Sequence, residues 1–156
     1  MNRDSPPLIG GLLAALLLAA LPQAGAAQPQ FRTEVGDYTV FFGVVPAARI
    51  AAAPDLVPRG HPVKHGANQY HVELAVVDRR TGQRIVDAEV RVTATALGLN
   101  ARRVRMHRME LAGTVTYCNY FRLQPGDFYR FDLAIDRAAW ATPLKVSLDY
   151  GQVVAY

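Results

Sequence analysis

Apolar and polar residues alternate with a period of two along most of this chain, and this pattern constrains the fold more than any other feature. In the segment 88–96, alanine and valine occupy every second position, with Glu89, Arg91 and Thr93 between them. A period of two gives an extended strand one apolar face, whereas an amphipathic helix needs a period near 3.6. The sequence therefore predicts an all-β protein.

Seven segments carry this alternation, and residues typical of turns separate them. The predicted strands are 37–45, 69–77, 85–96, 102–111, 114–123, 128–135 and 144–150. Gly82, Gly113 and Pro125-Gly126 stand in the intervening turns, where glycine tolerates a positive φ and proline presets a bend. About seven short antiparallel strands predict an immunoglobulin-like sandwich, with a partly open barrel as the alternative.

The segment 46–68 interrupts the strand pattern. It contains four prolines and the run Ala51-Ala52-Ala53. Prolines at this density are incompatible with a regular strand or a long helix. We predict a long connection that includes one helical turn.

The N-terminal segment fits a secretory signal peptide. Arg3 precedes an apolar run at 8–21, and Ala24-Gly25-Ala26 provides a small-residue cleavage site. The run is shorter than the roughly 20 residues that a membrane-spanning helix needs, which makes an uncleaved anchor the weaker alternative. We therefore predict cleavage after Ala26, a single domain at 27–156, a periplasmic location and no stable membrane span after cleavage.

Charge excludes one class of partner. The formal net charge is +4 at pH 7, and it comes mainly from arginines scattered along the strands. Nucleic-acid-binding surfaces instead cluster basic residues with stacking aromatic side chains. We expect no nucleic-acid partner, and we expect the protein to bind another envelope protein or a small ligand.

Two stretches resemble a known class of bacterial extracytoplasmic modules. Residues 76–90 contain a strand, a turn with Gly82 and an Ala-x-Val strand start, and they resemble the signature of transthyretin-like and YtkA-like modules. Residues 125–131 resemble the turn and tyrosine-bearing strand near the C-terminal end of those modules. The resemblance covers 69–150. It implies a β-sandwich that serves as a spacer, a binding domain or a metal-handling accessory, and it brings no catalytic residues.

The residues best suited to chemistry are soft metal ligands around one predicted hairpin. Met106 and Met109 flank His107, and Cys118 is the only cysteine. If Ala112-Gly113 forms a two-residue turn, His107 pairs with Cys118, Met109 shares their face and Met106 points to the other. Imidazole, thiolate and thioether together suit copper(I). The alternative is ordinary packing, because methionine and free cysteine also fill protein cores.

The other histidines are weaker candidates for the same metal site. His61 and His65 lie in the 46–68 connection, and His71 lies near the start of the second strand. An i, i+4 pair converges on a helix but not necessarily in a loop, so solvent-exposed side chains are the alternative. For His71 the alternative is an exposed strand residue. Copper is the one cofactor that these residues suggest.

No constellation of catalytic residues is recognisable in the sequence. Cys118 and His107 have the chemistry of a thiol nucleophile and its base, but no glycine-rich oxyanion loop or third orienting residue accompanies them. We therefore predict a non-enzymatic binding or accessory module. A copper-handling protein is the alternative function.

Overall fold

The computed structural model describes residues 30–53, 57, 62–111 and 113–151. The predicted leader, its cleavage site and His61 lie outside these residues. The described residues form nine strands and one short helix. In chain order these are β1 (Gln30–Val35), β2 (Tyr38–Pro46), α1 (Ala47–Ala51), β3 (Gln69–Asp78), β4 (Glu89–Ala96), β5 (Arg102–Arg105), β6 (His107–Leu111), β7 (Thr114–Arg122), β8 (Phe128–Asp136) and β9 (Leu144–Gly151).

The strands form two antiparallel sheets, which pack as a sandwich. The five-stranded sheet has the order β1-β2-β3-β7-β6, and the four-stranded sheet has the order β5-β4-β8-β9. The predicted all-β sandwich is confirmed. The described residues form two strands more than the seven predicted. β1 was not predicted, and the predicted strand 102–111 is divided into β5 and β6.

The core lies between the sheets, and period-two alternation builds it as predicted. Along β8, the buried residues Phe131, Leu133 and Ile135 alternate with residues that are less buried or exposed. The Phe131 ring lies 5.1 Å from the Phe42 ring and 5.9 Å from the Phe121 ring, which joins the two sheets through aromatic contacts.

Strand β1 was missing from the sequence prediction. It pairs with β2 across a two-residue turn, in which Val35 lies opposite Tyr38 and Gly36 has a φ of 55°. Glycine adopts this left-handed conformation without strain. The sequence of β1 alternates weakly, and the strand is held by its partner β2 rather than by a continuous apolar face.

The predicted strand 102–111 is two strands that belong to different sheets. β5 pairs with β4 in one sheet, and β6 pairs with β7 in the other. At the junction, the Met106 N–H donates a hydrogen bond to the Val90 carbonyl at 2.8 Å, and the Met106 side chain enters the core. A period-two pattern cannot show this change of sheet, because the alternation continues through it.

The connection after β2 begins with the predicted helical turn. Helix α1 follows β2 directly, contacts β2 and β3, and buries Ala47 and Ile50. Neither residue belongs to the core cluster between the sheets. The start of the connection therefore packs beside the five-stranded sheet and outside the sandwich core.

Candidate metal centre

Three strands of the five-stranded sheet bring ionisable and soft side chains into one row. His107 of β6 lies opposite Cys118 of β7, and Cys118 lies opposite Glu73 of β3. Directly opposed residues of antiparallel strands project from the same face. The neighbouring residues Leu74 and Tyr117 belong to the sandwich core. The row therefore lies on the outer face of the sheet.

The predicted register of the β6–β7 hairpin is confirmed. Leu111 pairs with Thr114, Met109 with Thr116 and His107 with Cys118. Met109 therefore lies on the outer face beside His107. Met106 is part of the core on the other side of the sheet, as predicted. We call the residues His71, Glu73, His107, Met109 and Cys118 the outer-face cluster.

The cluster is open at one end and closed at the other. His107 is exposed at the edge strand, Met109 is buried, and Cys118 is fully buried. An ion from solvent would meet the His107 imidazole first and the Cys118 sulfur last.

The environment of Cys118 keeps its thiol protonated. Burial and the neighbouring Glu73 carboxylate raise the pKa of the thiol to about 12. The thiolate is the reactive form, so a protonated thiol is a poor nucleophile at neutral pH. A metal ion could still bind the sulfur by displacing its proton.

Glu73 also belongs to the cluster, although no pattern in the sequence indicated it as a ligand. Burial raises the pKa of its carboxyl group. Its Oε2 lies 4.0 Å from the His71 Nδ1. On the other side it extends over Gly43, where a Cβ atom would lie 3.2 Å from the Glu73 Cγ. The i, i+2 spacing from His71 was a signal that both side chains share a face, but only the pairing of β3 with β7 brings Glu73 to Cys118.

His71 is buried, and the expectation of an exposed strand residue is wrong. Its ring centroid lies 5.0 Å from that of Tyr120, the residue opposite it on β7. The backbone of Lys64 lies close to the Tyr120 hydroxyl, which places the end of the connection over this part of the sheet. The outer face is therefore covered near His71, although it lies outside the sandwich core.

The loop histidines are not brought into the cluster by the described residues. His65 is exposed on the connection, and His61 lies outside the described residues. Their convergence on a metal ion stays a prediction.

The donor set limits which metal the cluster suits. Among the described residues, no three His, Cys, Asp or Glu side chains are arranged to hold a metal ion together. His107 and Cys118 could supply two ligands, an imidazole nitrogen and a thiolate sulfur, and the Met109 thioether could supply a third. Zinc sites usually take four nitrogen, sulfur or carboxylate ligands, whereas thiolate and thioether select copper(I).

The described residues combine an antiparallel two-sheet sandwich with an imidazole and a thiol opposed across its edge hairpin. Residues 32–150 match the family model of DUF4426, described as a domain of unknown function. The chain belongs to the DUF4426 family. The resemblance to transthyretin-like and YtkA-like modules is compatible with this assignment at the level of sandwich architecture.

Solved structures share the fold at low sequence identity. A DUF4426 family protein from Pseudomonas aeruginosa is 16% identical with a TM-score of 0.61, covering 78% of this chain and 93% of that one. FetP of uropathogenic Escherichia coli strain F11, expressed in the periplasm, is 12% identical with a TM-score of 0.62, covering 83% and 98%. A copper-bound variant of FetP is 10% identical with a TM-score of 0.61, covering 79% and 94%.

No curated protein matches the sequence of this chain. Within the described ranges, none of the helical structure is long and apolar enough to cross a membrane.

Proposed function

We propose that this protein is a non-enzymatic accessory module of the bacterial cell envelope that binds copper(I) at the outer-face cluster. One observation carries the proposal. The hairpin register sets His107 directly opposite Cys118, with Met109 on the same face. Opposed Cβ atoms in such a pair lie about 4.5–5.5 Å apart, close enough for two side chains to share one ion.

The chemistry of the cluster supports a soft monovalent ion. Thiolate and thioether sulfur are the ligands that copper(I) prefers over harder cations. A thiolate at Cys118 would neutralise the charge of the ion, and the Glu73 carboxylate on the neighbouring strand would add to the attraction. Because these groups are partly or fully removed from water, their attraction for a cation is screened less than at an open surface.

The fold comparison gives independent but weaker support. A variant of FetP, which shares this fold, is copper-bound. The likeness concerns the fold alone, so the assignment of ligands here rests on His107, Cys118 and Met109 of this chain.

Competition against a chromogenic copper(I) chelator under anaerobic conditions tests the proposal. We expect the mature protein to take up one equivalent. His107→Ala and Cys118→Ser should each weaken binding by about 100-fold or more, since each removes a direct ligand. Met106→Leu is the matched control, because Met106 is a neighbouring methionine that faces the core, and it should leave affinity unchanged.

Two results would contradict the proposal. Equal affinities for the wild type and Cys118→Ser would remove Cys118 from the site. Absence of copper(I) binding by the folded wild-type protein would refute copper handling, and the cluster would then be explained by packing alone.

A further inference from the structure

Three large apolar side chains are exposed together at one end of the sandwich. Leu97 is 99% exposed, Leu99 is 51% exposed and Phe128 is 78% exposed. The two leucines lie in the β4–β5 loop, Phe128 begins β8, and all three line one open groove of about 750 Å³. We call these three residues the apolar tip. Contiguous exposed apolar groups of this kind mark interaction surfaces, unlike scattered single residues.

The local structure holds the apolar tip in place. The Leu99 N–H donates a hydrogen bond to the Ala96 carbonyl at 3.1 Å, and Gly98 between the leucines has a φ of 76°. The Phe128 ring lies across Gly151, where a Cβ atom would come within 2.6 Å of it. The tip is therefore built by a glycine turn and by a glycine beneath the ring.

Three exposed arginines lie at the same end of the sandwich as the tip, and the Arg102 guanidinium carbon stands 5.8 Å from the centroid of the Phe121 ring. Arg102 and Arg103 directly follow the loop, Arg122 ends β7 at the same end of the sandwich, and all three are exposed. None of them takes part in an ion pair among the described residues. Within the groove itself, Arg130 is bound to Asp149 through bonds of 2.9 Å and 3.2 Å, and Asp132 adds a further carboxylate, so the positive charge lies outside the groove.

We propose that this end of the sandwich docks on an anionic lipid bilayer. The apolar tip enters the boundary between headgroups and acyl chains, and Arg102, Arg103 and Arg122 contact lipid phosphates. Peripheral membrane binding combines these two contributions, a small buried apolar area and attraction between basic residues and anionic lipid. The inference is independent of copper binding, because the outer-face cluster shares no residue with the tip.

Charge and size favour a membrane over a second copy of this chain. A symmetric dimer through the tip would bring the same arginines of both copies towards each other, which is unfavourable. Three side chains also present far less area than the roughly 800 Å² per partner that stable dimers bury. Insertion into a bilayer needs neither a complementary partner surface nor that area.

Co-sedimentation with vesicles tests the proposal on the mature protein. We expect binding to vesicles of phosphatidylglycerol and phosphatidylethanolamine, and weak binding to phosphatidylcholine alone. Binding should fall between about 0.1 M and about 1 M salt, as the screening length drops from about 10 Å to about 3 Å. Leu97→Ser and Arg103→Gln should each weaken binding about tenfold.

Matched controls lie at the other end of the sandwich. Val86, which precedes β4, is 41% exposed, and Arg80 lies in the exposed turn after β3. Val86→Ser and Arg80→Gln should therefore leave vesicle binding unchanged. In addition, Leu97→Trp should show a larger blue shift of its emission on addition of anionic vesicles than the wild type, in which Trp140 alone emits, and this difference reports insertion of the tip.

Three outcomes would overturn the proposal. The first is failure of the folded wild type to sediment with anionic vesicles. The second is binding that Arg103→Gln reduces but Leu97→Ser does not, since the apolar tip would then play no part. The third is a dimer in analytical ultracentrifugation that Leu97→Ser dissociates, which would assign the tip to a second copy.

Discussion

The neighbours of Cys118, more than its residue type, set its chemistry. The thiol is fully buried, with His107 on one neighbouring strand and Glu73 on the other. Desolvation and the adjacent carboxylate both disfavour the thiolate. The same position that makes the sulfur a poor nucleophile lets it bind a cation that can displace its proton.

Thiol labelling checks this description of Cys118. Since the pKa rises from 9.0 to about 12, the thiolate fraction at pH 8 falls about a thousandfold in the folded protein. We expect Ellman's reagent to leave the native metal-free protein unlabelled over hours and to label it rapidly in denaturant. Cys118→Ser should show no labelling in either state. Fast labelling of the native protein would show that the sulfur is accessible.

Glu73 makes stability depend on pH. Its titratable neighbours are His71 and Cys118, and burial raises the pKa of its carboxyl above the ordinary value of 4.5. The folded protein therefore holds this proton more tightly than the unfolded chain does. Below pH 4.5 both states carry the proton. As the pH rises through the raised pKa, ionisation of Glu73 in its partly buried site lowers stability.

Replacing Glu73 by glutamine removes this dependence. At pH 7 we expect Glu73→Gln to stabilise the metal-free protein by about 0.5 kcal/mol, a small effect because about one third of the side chain remains exposed to water. The gain should vanish below pH 4.5. Urea unfolding at several pH values measures it, with the exposed Glu110→Gln as the control. A stabilisation by Glu73→Gln that increases as the pH falls would contradict the raised pKa of the Glu73 carboxyl group.

At the scale of elements, the junction between β5 and β6 holds the two sheets together. The chain leaves one sheet and joins the other at Met106, whose side chain packs in the core. Met109, three residues later, is buried on the outer face. The two methionines are therefore a matched pair of the same residue type in different environments.

Truncation of these methionines should separate their roles. Met106→Ala should destabilise the protein by about 2–4 kcal/mol, because it leaves a cavity in the core. Met109→Ala should cost about 1 kcal/mol, because it removes burial outside the core. Urea unfolding compares the two variants. Equal losses of stability would show that Met109 is as much part of the core as Met106 is.

For the molecule as a whole, the two proposed surfaces have no residue in common. The outer-face cluster lies across one sheet, whereas the apolar tip lies at the end of the sandwich where β4 ends and β8 begins. Copper binding and membrane docking can therefore be tested on variants that do not overlap. Both proposals place the protein in the cell envelope.

Processing of the N-terminus tests that location. If the leader is cleaved at Ala24-Gly25-Ala26, intact-mass measurement on the periplasmic fraction should find a chain that begins at Ala27. A high-salt wash should release any protein bound to membranes, since docking through the tip depends on charge. Full-length protein that resists such a wash would indicate an uncleaved anchor instead.

The sequence by itself determined the features that depend on neighbouring residues. The alternation of apolar and polar residues determined which faces of β4 and β8 are buried. The two-residue turn at Gly113 determined the register that places His107 opposite Cys118. Hairpin register is local information, because turn length and side-chain period suffice to define it. The opposition of the His107 imidazole and the Cys118 thiol was therefore predictable with no knowledge of the remaining strands.

Only the tertiary structure decided the contacts between distant segments. Glu73 lies beside Cys118 because β3 pairs with β7 on the side opposite β6. His71 is buried where the end of the 46–68 connection lies over β3. Phe128 joins the two leucines of the β4–β5 loop because β8 pairs with β4. No local pattern in the sequence contains these pairings. They form only in the complete sandwich, where the strands bury their apolar faces and pair their backbone N–H and C=O groups together.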